Sequence, residues 1–110
     1  DQGKYADAEA LYRRFLEKKS GETALLAIAY EGLGLCAEAR SDYPAAVNAF
    51  ELQAAEPFAR ERGRMNVARV YAKQGQKDKA LEVYKDLLAK AAPQSPLRDD
   101  VQNRMAALEP

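Results

Sequence analysis

A sequence repeat with a period of 34 positions is the feature of this 110-residue chain that most restricts its fold. The small residue Ala46 recurs as Ala80, and the aromatic residue Phe50 recurs as Tyr84. A unit of this length cannot bury an apolar face by itself, so neighbouring copies must stack and share a core. The chain is therefore predicted to form a row of similar units rather than one irregular globule.

Each unit has the sequence pattern of amphipathic helices. Strong helix formers fill the segments between punctuating glycines and prolines, and β-branched residues are sparse. From Tyr5 to Phe15, apolar residues recur at three- and four-residue steps, which marks one face of a helix. Asp42 and Ser95 are placed to cap two later helices. We predict an all-α antiparallel array of helix hairpins, with six helices over residues 5–18, 22–39, 43–55, 58–74, 77–91 and 96–108.

Three partial copies of one motif carry a family resemblance. They are Gly3-Lys4-Tyr5-Ala6-Asp7-Ala8, then Tyr30-x-x-Leu33-Gly34-x-x-Ala37 before Ala46 and Phe50, then Arg64-x-x-Val67-Ala68-x-x-Tyr71 before Ala80 and Tyr84. The sequence resembles the tetratricopeptide repeat (TPR) family from Gly3 to about Pro93. This resemblance implies helix hairpins stacked into a right-handed superhelix, with small residues where helices cross. Departures from the pattern are Arg64 in place of a large apolar residue, and Lys77 in place of an aromatic one.

The resemblance also divides the chain, which is interpreted as a single TPR domain over residues 1–110. Residues 3–19 are assigned as the second helix of a truncated repeat, and residues 22–60 as the second repeat. Residues 61–94 are assigned as the third repeat, and residues 95–110 as a capping helix. The first two copies are 38 positions apart, from Ala8 to Ala46, and the four extra residues are expected to lengthen the Lys18–Glu22 turn or the helix after it.

A finer likeness is to bacterial envelope TPR proteins of the YfgM type. The residues that carry it are Ala27-x-x-Tyr30-Glu31, Ala68-Arg69-Val70-Tyr71 followed by the run from Gly75 to Tyr84, and Pro93-x-Ser95-Pro96-Leu97. It implies an envelope chaperone or complex-assembly factor, either periplasmic or anchored on the envelope side of a membrane. A cytoplasmic location stays open.

The composition removes the usual components of catalytic and metal sites. There is no His and one Cys, which excludes an internal disulfide, a His-based acid–base pair and the usual zinc ligand sets. Cys36 lies in the middle of a predicted helix and is interpreted as a small core residue. We therefore expect a protein with no enzymatic activity, no cofactor and no metal.

Charge is balanced overall but distributed unevenly. Basic and acidic residues number 17 each, yet residues 1–58 hold six basic and ten acidic side chains, and residues 59–110 hold eleven and seven. The cluster Arg60–Arg64, continued by Arg69 and Lys73, could contact phosphates. A nucleic-acid-binding module is therefore kept as the alternative to the favoured protein-binding scaffold. A steep fall of binding with salt would distinguish the two.

The TPR resemblance also selects residues for a concave peptide-binding groove. These are Ile28, Glu31, Leu35 and Glu38 from the second copy, and Arg62, Met65, Asn66, Arg69 and Lys73 from the third. We expect an acidic and a basic wall with apolar residues between them, and exposed side chains at Arg69 and Lys73. Such a groove would hold an extended or helical polypeptide segment. Capture of a chaperone tail is not expected, because Gly32 stands where the carboxylate-gripping members of the family have an Asn.

The first predicted helix is expected to mediate self-association. It begins as the second helix of a repeat, so the family pattern leaves part of its apolar stripe without a neighbour. That stripe comprises Ala8, Leu11, Tyr12 and Phe15. An exposed apolar helix face is an interaction surface, and two chains could pair through it or exchange a terminal helix. A homodimer is the predicted result, and a purely self-assembling structural domain is a further alternative.

Overall fold

The computed structural model describes residues 2–17 and 23–108, and this part of the chain is a row of α-helices without strands. The elements are α1 (Gln2–Glu17), α2 (Thr23–Ala39), α3 (Tyr43–Ala54), a 3-10 turn (Pro57–Ala59), α4 (Arg60–Lys73), α5 (Lys77–Lys90) and α6 (Leu97–Leu108). The prediction of six helices in an all-α array is confirmed. The fourth helix differs at its start, because a 3-10 turn occupies the residues where an α-helix was expected. The predicted boundaries at Lys18 and Glu22 lie outside the described residues.

Each helix packs chiefly on the next helix in the chain. The pairs in contact run in order from α1 with α2 to α5 with α6. This nearest-neighbour packing is the arrangement expected of a repeat solenoid, in which every unit completes the core of the one beside it. The described part is accordingly elongated, with extents of 40 × 28 × 18 Å.

The core is built from the positions that repeat in the sequence. Ala46 and Ala80 are fully buried, and so are the rings of Phe50 and Tyr84. Gly34 faces the Phe50 ring so closely that a Cβ atom at this position would overlap the ring. The repeated small and aromatic residues therefore act as a fitted set, in which the missing side chain of one helix admits the ring of the next.

The turns that end α2 and α4 have the same hydrogen-bond pattern. In the first, the N–H of Asp42 donates to the carbonyl of Ala37, and the N–H of Ser41 donates to that of Glu38. The second turn repeats this pattern 34 positions later, centred on Gly75. These are Schellman turns, which need one residue with positive φ. Ser41 has φ 61° and Gly75 has φ 78°, so the first turn places a residue with a side chain in a left-handed conformation.

Ser41→Gly is expected to stabilise the protein. A residue with a Cβ in the left-handed region costs about 1–2 kcal/mol, and the greater freedom of glycine in the unfolded chain offsets about 0.5–1 kcal/mol of the relief. A net gain of about 0.5–1 kcal/mol in the free energy of unfolding should appear in urea titrations. The matched reverse change, Gly75→Ser, should lower stability by a similar amount. A loss of stability in Ser41→Gly would contradict this account of the turn.

Candidate functional site

The nine residues predicted to line a groove all lie on α2 and α4, and side-chain contacts join the two helices. On α2, Ile28, Glu31, Leu35 and Glu38 follow one another at three- and four-residue steps, so they share one side of the helix. The residues on α4 are Arg62, Met65, Asn66, Arg69 and Lys73. We call the surface formed by these nine residues the α2/α4 face.

Glu38 is the centre of one ion-pair cluster on this face. Its Oε2 accepts a hydrogen bond from Arg69 Nε at 3.2 Å, and its Oε1 accepts one from Arg69 Nη2 at 2.6 Å. Lys73 Nζ lies 2.6 Å from the same Oε2. Arg69 also donates to the side-chain oxygen of Asn66 at 2.6 Å, and its guanidinium lies 5.5 Å from the centre of the Phe50 ring. Burial alone would raise the pKa of Glu38, but these donors outweigh it and hold that pKa below its ordinary value.

Glu31 is the centre of a second cluster, which joins three helices. Its Oε2 accepts hydrogen bonds from Arg62 Nε at 2.6 Å, Gln53 Nε2 at 2.9 Å and Asn66 Nδ2 at 3.0 Å. Asn66 Nδ2 also donates to Gln53 Oε1 at 3.0 Å, and both amide side chains are buried. Burial alone would raise the pKa of Glu31, whereas the three donors lower it, and the net pKa is below the ordinary value.

Gln53 was not selected from the sequence, although it lies at the centre of this network. One repeat later its position is taken by Leu87, a buried apolar residue. A polar residue at a repeated core position is a signal that could have found it, because such a side chain must find hydrogen-bond partners inside the fold.

The expected separation into an acidic and a basic wall is wrong in one respect. The acidic residues of α2 and the basic residues of α4 instead pair with one another directly through their side chains. Arg69 was expected to be exposed, but it is partly buried and held by Glu38, Asn66 and the Phe50 ring. Lys73 is half exposed. Reversing the charge of Arg69 would therefore disturb the fold as well as the surface.

Large apolar side chains project from the same face beside these ion pairs. Ile28 is 60% exposed and Leu35 is 46% exposed, while Met65 is partly covered. Leu35 borders a cleft of about 400 Å³ that Tyr5 of α1 also lines. A second cleft, of about 310 Å³, lies between α4 and α6 and is bordered by Met65 and Arg104. The sequence did not indicate that Tyr5 or α6 borders this face. The groove residues were predicted from the second and third copies of the repeat, and Tyr5 and α6 belong to neither copy.

The stripe on α1 is divided between packing and solvent. Tyr12 is partly buried against α2, where its ring fills the space that a side chain at Gly32 would need. Ala8 and Phe15 are also partly covered. Leu11 is 64% exposed and is the large apolar residue of the stripe that faces outward.

Cys36 is buried at a cleft between α1 and α2 that Glu9 and Arg40 also line. Burial raises the pKa of the Cys36 thiol, and the nearby Glu9 carboxylate raises it further while Arg40 lowers it. The protonated thiol is thus favoured, as for a core cysteine. Within residues 2–17 and 23–108, no cluster of metal-ligating side chains is found, and no helix is long and apolar enough to cross a membrane.

The sequence matches models of a known helical repeat family, which agrees with this architecture. A tetratricopeptide repeat model matches residues 1–61, and a second model of the same repeat matches residues 65–100. The chain belongs to the tetratricopeptide repeat family. No curated protein and no solved structure matches it. The likeness of this TPR chain to YfgM-type proteins therefore stays a prediction.

The TPR fold is expected to lose stability in acid through the two clusters. Because Glu31 and Glu38 have lower pKa values when folded than when unfolded, each stabilises the fold at pH values above the ordinary pKa that it has in the unfolded chain. That contribution is lost as the pH falls through the folded pKa. Glu38→Gln should therefore shrink the difference in unfolding free energy between pH 7 and pH 3, measured by urea titration.

The matched control for this prediction is Glu82→Gln, which changes an exposed carboxylate on α5. It should leave the acid-dependent difference close to that of the unmodified protein. An acid response that is the same in both variants would contradict the role assigned to the Glu38 cluster.

Proposed function

We propose that this TPR chain is a non-catalytic scaffold that holds a segment of another polypeptide on the α2/α4 face. TPR repeats generally mediate protein–protein interaction. The observation that carries the proposal is the exposure of Ile28 and Leu35 on one side of α2. Covering an aliphatic side chain that water now contacts is favourable by about 25 cal/mol per Å² of area.

The polar part of the face supports the same function by being ordered in advance. In the described residues, no buried side-chain nitrogen or oxygen lacks a hydrogen-bond partner. The carboxylates of Glu31 and Glu38 are held by donors from α4, so they need no rearrangement when a ligand arrives. A surface that is already rigid loses less conformational freedom on binding, and more of its contact energy appears as affinity.

The basic segment of α4 supports a polypeptide partner better than nucleic acid. Its five cations each lie within ion-pair distance of a carboxylate; they are Arg60, Arg62, Arg64, Arg69 and Lys73. Arg60 and Arg64 pair with Asp86 and Glu51, whereas the other three pair with residues of α2. These cations therefore do not form one continuous row, and nearby carboxylates largely neutralise their charge. Such an arrangement is a poor binding surface for the phosphates of a nucleic acid.

The cellular setting is proposed from the resemblance alone. The YfgM-like residues favour a bacterial envelope chaperone or complex-assembly factor, periplasmic or membrane-anchored on that side. Fractionation of source cells with an antibody against this chain tests the location. Recovery in the cytoplasmic fraction only would remove this part of the proposal and leave the scaffold role intact.

Ile28→Ser and Leu35→Ser are each expected to weaken binding of a native partner by about tenfold. Loss of a largely buried aliphatic contact costs on the order of 1.5 kcal/mol, and 1.4 kcal/mol is a factor of ten in affinity. The partner would be captured from source cells with the unmodified protein, purified, and titrated by calorimetry. Circular dichroism should show unchanged helicity, because both side chains are exposed.

Two residues off the α2/α4 face supply matched controls for this experiment. Phe58→Ser changes a side chain that is 62% exposed, close to the 60% of Ile28. Leu52→Ser changes one that is 46% exposed, as Leu35 is. Binding that falls equally in the controls, or stays intact in both α2 variants, would remove the α2/α4 face as the binding surface.

Self-association through α1 is the second candidate, and the exposure of Leu11 favours it. We expect sedimentation over a hundredfold concentration range to show a dimer that Leu11→Glu converts to monomer. Phe15→Glu is less informative, because that side chain is partly covered and its change also tests packing. If the protein is monomeric at every concentration and the Leu11→Glu variant sediments in the same way, Leu11 is a solvent-exposed residue without a role in assembly.

A further inference from the structure

We infer that the segment held on the α2/α4 face is an amphipathic α-helix with apolar residues seven positions apart and an acidic side chain on the edge next to α4, beside the residue that covers Leu35. This inference rests on the proposed function and narrows it to one class of partner. Two observations carry it, namely the spacing of the exposed apolar residues on α2 and the unequal pairing of charges around Glu38.

The spacing of Ile28 and Leu35 fits a helix. At 1.5 Å per residue, seven positions on α2 separate the two side chains by about 10.5 Å along the axis. A helix lying beside α2 presents residues seven positions apart on one face at about the same distance. In an extended strand, residues on one face recur about every 6.6 Å, so successive ones fall at about 7 and 13 Å. An extended segment can therefore meet one of the two residues fully, but not both.

The stretch of α2 between these two contacts carries no unpaired charge. Glu31 lies there, and its carboxylate already accepts hydrogen bonds from side chains of α3 and α4. The apolar face of an incoming helix can pass over it without leaving an exposed charge to be desolvated, which would oppose binding.

The charges on the α4 side do not cancel near Leu35. Glu31 is paired with one cation, Arg62, whereas Glu38 is shared by two, Arg69 and Lys73. Among residues 2–17 and 23–108, this cluster therefore carries one excess positive charge, and the half-exposed Lys73 ammonium is the cation that a ligand can reach. In the neighbouring cleft, Arg104 is paired with Asp100 and adds no net charge. The surplus therefore favours an acidic side chain beside the residue that covers Leu35, and disfavours a basic one.

The test uses synthetic peptides of defined helicity. The probe is an alanine- and glutamine-rich helical peptide with two leucines seven positions apart and a glutamate three positions after each, labelled for fluorescence anisotropy. Three comparison peptides differ by one feature each: lysines for the glutamates, leucines five positions apart, and prolines that abolish the helix. We expect the probe to bind about tenfold more tightly than each comparison peptide at low salt.

Variants of the protein locate the effect. Lys73→Gln should reduce the preference for glutamate over lysine several-fold while leaving the dependence on leucine spacing unchanged. Ile28→Ser and Leu35→Ser should abolish discrimination between the two leucine spacings. Leu52→Ser, matched to Leu35 in exposure, should change neither property.

The outcomes separate this inference from the proposed function. Equal or tighter binding of the lysine peptide or of the proline peptide would overturn the inference, as would no binding of any helical probe. The proposed function would still stand if the captured native partner lost affinity in Ile28→Ser and Leu35→Ser. If neither substitution changed the affinity for the native partner, both the proposed function and this inference would be wrong.

Discussion

The close approach of neighbouring helices at glycine and alanine is the constraint on which the rest of this structure depends. Gly34 admits the ring of Phe50, and Gly63 approaches α3 so closely that a Cβ there would lie 2.7 Å from the backbone nitrogen of Ala54. Because backbone cannot move aside as the end of a flexible side chain can, the contact at Gly63 fixes the separation of α3 and α4. The positions of α2 and α4 relative to each other follow, since both pack on α3.

This separation is what permits the polar network between the helices. The carboxylate of Glu31 reaches Gln53 and Asn66 at 2.9 and 3.0 Å, which are ordinary hydrogen-bond distances. A change of one ångström in the spacing would leave buried amides unsatisfied, at a cost larger than the net gain from each bond. The apolar contacts and the network therefore select the same arrangement.

The sequence predicted the repeated part of the structure well and the contacts between repeats poorly. The helices and the buried Ala46, Ala80, Phe50 and Tyr84 could be predicted, because periodicity records which face of each helix is buried. The pairing of Glu38 with Arg69 joins residues 31 positions apart on different helices, and it depends on how the helices are rotated against each other. Composition and periodicity do not determine that rotation. The acidic residues of α2 and the basic residues of α4 were therefore expected to form two charged walls with apolar residues between them, whereas they form ion pairs with each other.

On the proposed surface, the apolar and the charged side chains would contribute differently to binding, because most of the charges are already paired. An exposed ion pair contributes about 0.2–1 kcal/mol, whereas a buried aliphatic side chain contributes about 1.5–3 kcal/mol. Affinity on the α2/α4 face would therefore come mainly from Ile28 and Leu35. Lys73 would act mainly on orientation, because its charge penalises a ligand that places a basic residue there. Since Arg69 holds Glu38 without help from a ligand, Lys73 can exchange partners while the fold stays intact.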